Sequence, residues 1–107
     1  MLQLDVTSQE SIDALGSHFK DVPLDLLINN AGISKKSKLD QVTKDEMIQV
    51  FEVNAVGPLM VTRRLVESLS RAKKENGLAR VVNITSRMVI KLNFVKSQIS
   101  WDTRFLV

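Results

Sequence analysis

The spacing of apolar positions along this 107-residue chain switches repeatedly between two and three-to-four. That switching is how a sequence alternates strands with helices. Met1-Leu2-Gln3-Leu4-Asp5-Val6 alternates apolar and polar residues and predicts a strand. Thr7-Ser8-Gln9-Glu10 has the spacing of a capping box with Thr7 as the cap. Ile12, Leu15 and Phe19 come next at helical spacing, which predicts an amphipathic helix over 8–20, ended by Asp21-Val22-Pro23. Leu24 to Asn29 is an apolar run that reads as a buried strand, and it enters a turn at Asn30-Ala31-Gly32.

After a polar, lysine-rich loop over 34–41, Thr43-Lys44-Asp45-Glu46 is a second capping box. Met47, Val50 and Phe51 start an apolar face. Gly57-Pro58 bends or resets the helix, with Pro58 in the first turn of a new segment. Leu59, Val61, Leu65, Val66, Leu69 and Ala72 continue an apolar stripe to a stop at Asn76-Gly77. Ala79 to Thr85 is β-branched and mostly apolar, as a parallel strand covered on both faces is. Strand, helix, strand, helix, strand is the α/β pattern with right-handed crossovers. Residues 87–107 carry no pattern that assigns an element, although 89–95 suits a strand.

Composition narrows the function classes. The length allows at most one small domain. There is no Cys and one His, His18, so neither a disulfide framework, a thiolate nucleophile nor a zinc site is expected. No apolar run is long enough to span a bilayer, and residues 1–10 lack a leader pattern, so a cytoplasmic protein with no membrane partner is expected. The net charge of +3 and pI near 9.5 permit phosphate contact. Lys35, Lys36, Lys38, Arg63, Arg64, Lys73 and Lys74 are scattered, however, and no aromatic residues interleave with them. A nucleic-acid partner is therefore not expected.

Chemistry concentrates at strand exits. Gly32 has no side chain and lets the chain pass close to a ligand. In a doubly wound sheet the ligand lies outside the carboxyl ends of the strands, where this turn falls. Asn29-Asn30-Ala31-Gly32 after a buried strand resembles the short-chain dehydrogenase/reductase family, whose members bind NAD or NADP. Three further pieces resemble it in the same order: Leu4-Asp5-Val6-Thr7, Val53-Asn54-Ala55-Val56-Gly57, and Val82-Asn83-Ile84-Thr85-Ser86. The run Ser86-Arg87-Met88 resembles the C-factor-like and sniffer-like carbonyl reductases of that family.

The resemblance implies a partial Rossmann-like, doubly wound parallel sheet over 1–88, with the equivalents of strands 3, 4 and 5, followed by a divergent tail over 89–107. It implies an NAD- or NADP-dependent oxidoreductase acting on a carbonyl or alcohol. Asp5 and Val6 would then face the adenine, and Asn30, Ala31 and Gly32 would face the cofactor. Asn54 would hold a water of the proton relay, and Ser86 would bond the substrate carbonyl. Read alone, Asp5 fits a helix N-cap region better, Asn54 also fits a helix irregularity, and Ser86 also fits a plain strand exit.

The chain departs from the family in two places. It holds no Gly-x-Gly-x-x-Gly turn and no Tyr. Lys91 and Lys96 come after Ser86, but the positions four before them are Arg87 and Leu92, so the family's Tyr-x-x-x-Lys element is missing. The resemblance stops abruptly at Val89, as a changed reading frame, an alternative exon or an incomplete gene would produce. In the strand order 3-2-1-4-5-6, strand 3 would lie roughly 14 Å from strand 4 unless it moved across to pair with it. A marginal or partly folded chain without turnover of its own is expected. The alternative is a non-catalytic form that joins full-length relatives through the helix at 58–76.

Overall fold

The computed structural model describes residues 2–85. Its elements are α1 (Gln9–His18), β1 (Leu26–Asn29), α2 (Lys44–Phe51), a π-helical segment (Glu52–Val56), α3 (Gly57–Arg64), α4 (Val66–Asn76) and β2 (Arg80–Asn83). β1 and β2 form a two-stranded parallel sheet, with Leu26 opposite Arg80 and Asn29 opposite Asn83. The α/β class and the parallel pairing of the two apolar runs are as the pattern predicts.

Local chemistry explains most boundaries. α1 is capped by Ser8, whose hydroxyl accepts from the Ser11 N–H. The expected Thr7 cap is not used; the Thr7 hydroxyl donates to Asp5 Oδ1 at 2.8 Å instead. α1 also stops before residue 20. The Phe19 N–H returns to the Leu15 carbonyl, and Asp21 turns the chain with a left-handed φ of 62°. The capping box at α2 forms completely: Thr43 Oγ1 accepts from Glu46 N–H, and Glu46 Oε2 accepts from Thr43 N–H. α4 ends at Gly77, whose φ of 76° suits a residue without Cβ.

The core joins α1, β1, α3 and α4. Ile12, Leu15, Leu27, Val61, Leu65 and Leu69 form one buried cluster, with Leu4, Val6, Phe19, Leu24 and Val81 packed around it. Ser68 ties the layers together: its carbonyl accepts from Leu24 N–H at 3.0 Å, and its hydroxyl donates to Phe19 O at 2.9 Å. The ion pairs Arg64–Asp13 and Arg71–Asp21 lie on the surface and add little.

Three expectations need correction. Residues 2–6 form no strand, so the equivalent of strand 3 neither pairs with β1 nor joins a sheet. A strand is completed by a neighbour's ladder, and alternation in sequence supplies none. Here Asp5 N–H donates to Ser11 Oγ, and Leu4 and Val6 pack on the core instead. The helix expected over 58–76 is divided at Leu65, whose φ and ψ of −99° and 5° leave the helical region. Leu59 and Val66 are 65% and 52% exposed, so they lie outside the core that Val61, Leu65 and Leu69 enter. The strand that suits 89–95 and the divergent tail over 89–107 lie outside the described residues.

Leu27 is fully buried and Leu59 is not. Leu27→Ala leaves a cavity costing about 2–5 kcal/mol. A small domain holds only about 0.05–0.15 kcal/mol per residue. Far-UV circular dichroism of Leu27→Ala should therefore show most helical signal lost at room temperature, while Leu59→Ala keeps it. Equal signals from the two variants would contradict this packing.

Candidate functional site

Parallel, in-register strands release the chain at the same end of the sheet. Asn29 and Asn83 are the last residues of β1 and β2 and stand opposite each other. Asn29 is 8% exposed, so its amide needs partners. Its Nδ2 donates to Asn83 Oδ1 at 2.8 Å and to Thr62 Oγ1 of α3 at 3.1 Å. Its carbonyl accepts from Ile84 N–H at 2.9 Å, which carries the pairing one step past the sheet. One side chain thus locks both strand ends to α3.

Asn30, Ala31 and Gly32 leave this node exposed. The next residue is clamped: Ile33 N–H donates to Asn54 Oδ1 at 2.8 Å, and Ile33 O accepts from Asn54 Nδ2 at 2.7 Å. Both polar atoms of the Asn54 amide thereby bond to one backbone unit. Gly32 does not take the left-handed φ, so its use here is small size, and an added Cβ would touch Asn54 Oδ1 at 3.4 Å.

Asn54 sits inside the π-helical segment, where Gly57 N–H reaches back five residues to Glu52 O. Pro58 stands four residues after Asn54 and has no N–H, so the α-helical donor for the Asn54 carbonyl does not exist. π segments of this kind mark functional sites often enough to make this carbonyl a candidate polar group.

Asp5 is exposed and forms a turn. Its Oδ1 accepts from Thr7 N–H at 2.9 Å and from the Thr7 hydroxyl. The Thr7 N–H first, and its hydroxyl second, hold the Asp5 carboxyl below the usual aspartate value, so it is charged at neutral pH. Val6 meets the helix at Gly57, where a Cβ would lie 2.9 Å from Val6 Cβ. Between residues 2–6 and the exit of β1 lies an open cleft of about 320 Å³, walled by Leu4, Val6, Phe19, Pro58 and Val61 and edged by Asn29, Asn30 and Ala31.

The structure therefore brings Val6, Asn30 and Ala31 to one cleft. Asp5 is beside Val6 in the chain, and Gly32 and Asn54 meet each other at the turn. Ser86 lies outside the described residues. Sequence reading missed the Asn29–Thr62–Asn83 node. Its one signal is an Asn ending each apolar strand; Thr62 gives none. Among the described residues no His, Cys, Asp and Glu side chains gather to hold a metal, and no helix is long and apolar enough to cross a membrane.

The family model described as "short chain dehydrogenase" matches residues 1–97, past the Met88 at which the motif resemblance ends. The chain belongs to the short-chain dehydrogenase family. It is 42% identical over 67 residues to the C-signal protein of Myxococcus xanthus, covering 62% of this chain and 38% of that protein. It is 38% identical over 88 residues to human short-chain dehydrogenase/reductase family 9C member 7, covering 78% of this chain and 26% of that one. Among solved structures, NADPH-bound carbonyl reductase from chicken fatty liver superposes with a TM-score of 0.73 at 34% identity, over 79% of this chain and 36% of the other. The chain thus spans well under half the length of these short-chain dehydrogenases.

The Asn54 clamp is open to direct test. Asn54→Ala removes both bonds to Ile33, each worth about 0.5–1.5 kcal/mol. Hydrogen exchange should speed up at the Ile33 amide and leave the Leu27 amide protected. Unchanged exchange at Ile33 would show that the clamp does not hold the turn.

Proposed function

We propose that this chain carries the cofactor-facing middle of an NAD(P)-dependent carbonyl or alcohol oxidoreductase and does not complete the reaction by itself. The observation that carries the reading is the shared exit of β1 and β2. It sets Asn30 and Ala31 beside Val6 on one cleft, at the carboxyl ends of the strands, where nucleotides bind in this architecture.

The residues fit part of a dinucleotide. Asp5 offers a charged carboxylate whose Oδ2 has no hydrogen bond among the described residues, which suits an exocyclic amine on a base. Val6 gives an apolar wall, and Asn30, Ala31 and Gly32 present exposed backbone to the nucleoside. A pyrophosphate is normally held by a Gly-rich turn and a helix N-terminus. These 107 residues contain no Gly-x-Gly-x-x-Gly. Binding is therefore weak.

When bound, a nicotinamide supplies or accepts the hydride. The chain's own residues would then orient. Ser86 would donate to the carbonyl oxygen of the substrate. The Asn54 main-chain carbonyl, which Pro58 cannot supply with an α-helical N–H, would hold a water, while the amide orients Ile33. Neither residue provides an acid matched to neutral pH, and the chain has no Tyr to do so.

One observation favours a second role alongside the first. Met47, Ile48, Phe51, Leu59 and Val66 are each half exposed or more along α2, α3 and α4. Such apolar surface is characteristic of contact with another chain, and full-length relatives are the partner proposed.

Titration of NADPH fluorescence with the purified chain tests the reading. The expected result is weak, saturable binding, reduced about tenfold by Asp5→Ala as one hydrogen bond to a charged group is lost. Leu59→Glu should leave that binding intact and abolish co-purification with a full-length relative. Absence of saturable binding, or indifference to Asp5→Ala, would contradict the cofactor reading.

A further inference from the structure

The end of α4 carries a site that the cofactor reading does not use. Asn76 is its last residue and Gly77 comes next in the left-handed region, and both are exposed. Nothing lies within 4 Å of where a Gly77 Cβ would stand. The chain has other asparagines, but their next residues are Asn30, Ala31, Ala55, Ile84 and Phe94, each with a side chain that shields its own amide. Asn76-Gly77 is thus the one Asn-Gly pair in the sequence, and it lies in open space.

We propose that Asn76 is a self-modifying site that deamidates and so unfastens α4 from β1. The Gly77 amide nitrogen attacks Asn76 Cγ. A C–N bond forms, the Cγ–Nδ2 bond breaks, and ammonia leaves with the proton from the Gly77 nitrogen. Water then opens the resulting succinimide at one carbonyl or the other, giving isoaspartate or aspartate. The net change is one water consumed and one ammonia released, with no oxidation or reduction.

The structure gives this change a consequence. Asn76 Nδ2 donates to Asp25 Oδ1 across 51 residues of sequence. Asp25 precedes β1, and its carbonyl accepts from Arg80 N–H at 3.0 Å at the start of β2. The amide therefore fastens the end of α4 to the point where the two strands begin pairing. Deamidation replaces that donor with a carboxylate, sets two negative charges against each other, and lowers the formal net charge of +3 by one. The same hydrogen bond and the helical backbone at Asn76 hold the amide away from attack, so fraying of the last turn of α4 sets the rate. The site then works as a clock that runs faster when the helix end opens.

The test is ageing of the purified chain at mildly alkaline pH, then peptide mapping for the amide-to-acid mass change and enzymatic isoaspartate assay. Asn76 should convert ahead of every other asparagine, and Asp25→Ala should accelerate it severalfold. The aged protein should melt at a lower temperature in proportion to the fraction converted, and Asn76→Asp should reproduce that loss without ageing. Asn76→Gln should remain unmodified over the same period. Faster conversion at another asparagine, no acceleration in Asp25→Ala, or an unchanged melting temperature in Asn76→Asp would each overturn the proposal.

Discussion

Two hydrogen bonds from one buried amide hold the site end of this molecule together. Asn29 Nδ2 binds Thr62 of α3 and Asn83 of β2. An amide this deeply placed is costly to leave unpaired, about 1–3 kcal/mol for a lost partner, so the arrangement is close to all-or-none. It fixes three things at once: where β1 ends, where β2 ends, and how far α3 stands from both. The turn at Asn30–Gly32 inherits its position from that node.

The second constraint acts on the far side of the turn. Asn54 reaches out of a helix to replace the backbone partners that Ile33 would find in a sheet. It does so from a segment wound at five residues per hydrogen bond, one turn before Pro58. Local irregularity in the helix thus serves the turn. Val61, Leu65 and Leu69 follow at four-residue spacing, with Leu65 N–H bonded to Val61 O and Leu69 N–H to Leu65 O, and face inward while Leu59 and Val66 stay outside.

What was legible in the sequence was local. The buried run ending at Asn29, the Thr43–Glu46 capping box and the Gly77 stop each depend on residues within four positions, and each forms as read. What was not legible was relational. Residues 2–6 alternate like a strand, yet a strand needs a ladder from another segment. Thr7 and Ser8 both carry the hydroxyl a cap requires; Ser8 caps the helix while Thr7 turns to Asp5. Asn29 and its partners are separated by 33 and 54 residues, beyond any periodicity. The short-chain dehydrogenase family was readable because four short motifs kept their order, although each alone is weak.

In the proposed reading the shared exit of β1 and β2 is the edge that faces the nucleotide and α3 supports it, while the acid that would finish carbonyl reduction has no counterpart in these residues. The most direct measurement is NADH and NADPH consumption by homogeneous chain of this length, offered aliphatic and aromatic carbonyl compounds at saturating concentration. The account predicts no oxidation above the rate without protein, even where the cofactor binds. Sustained, carbonyl-dependent oxidation that scales with protein concentration would contradict it.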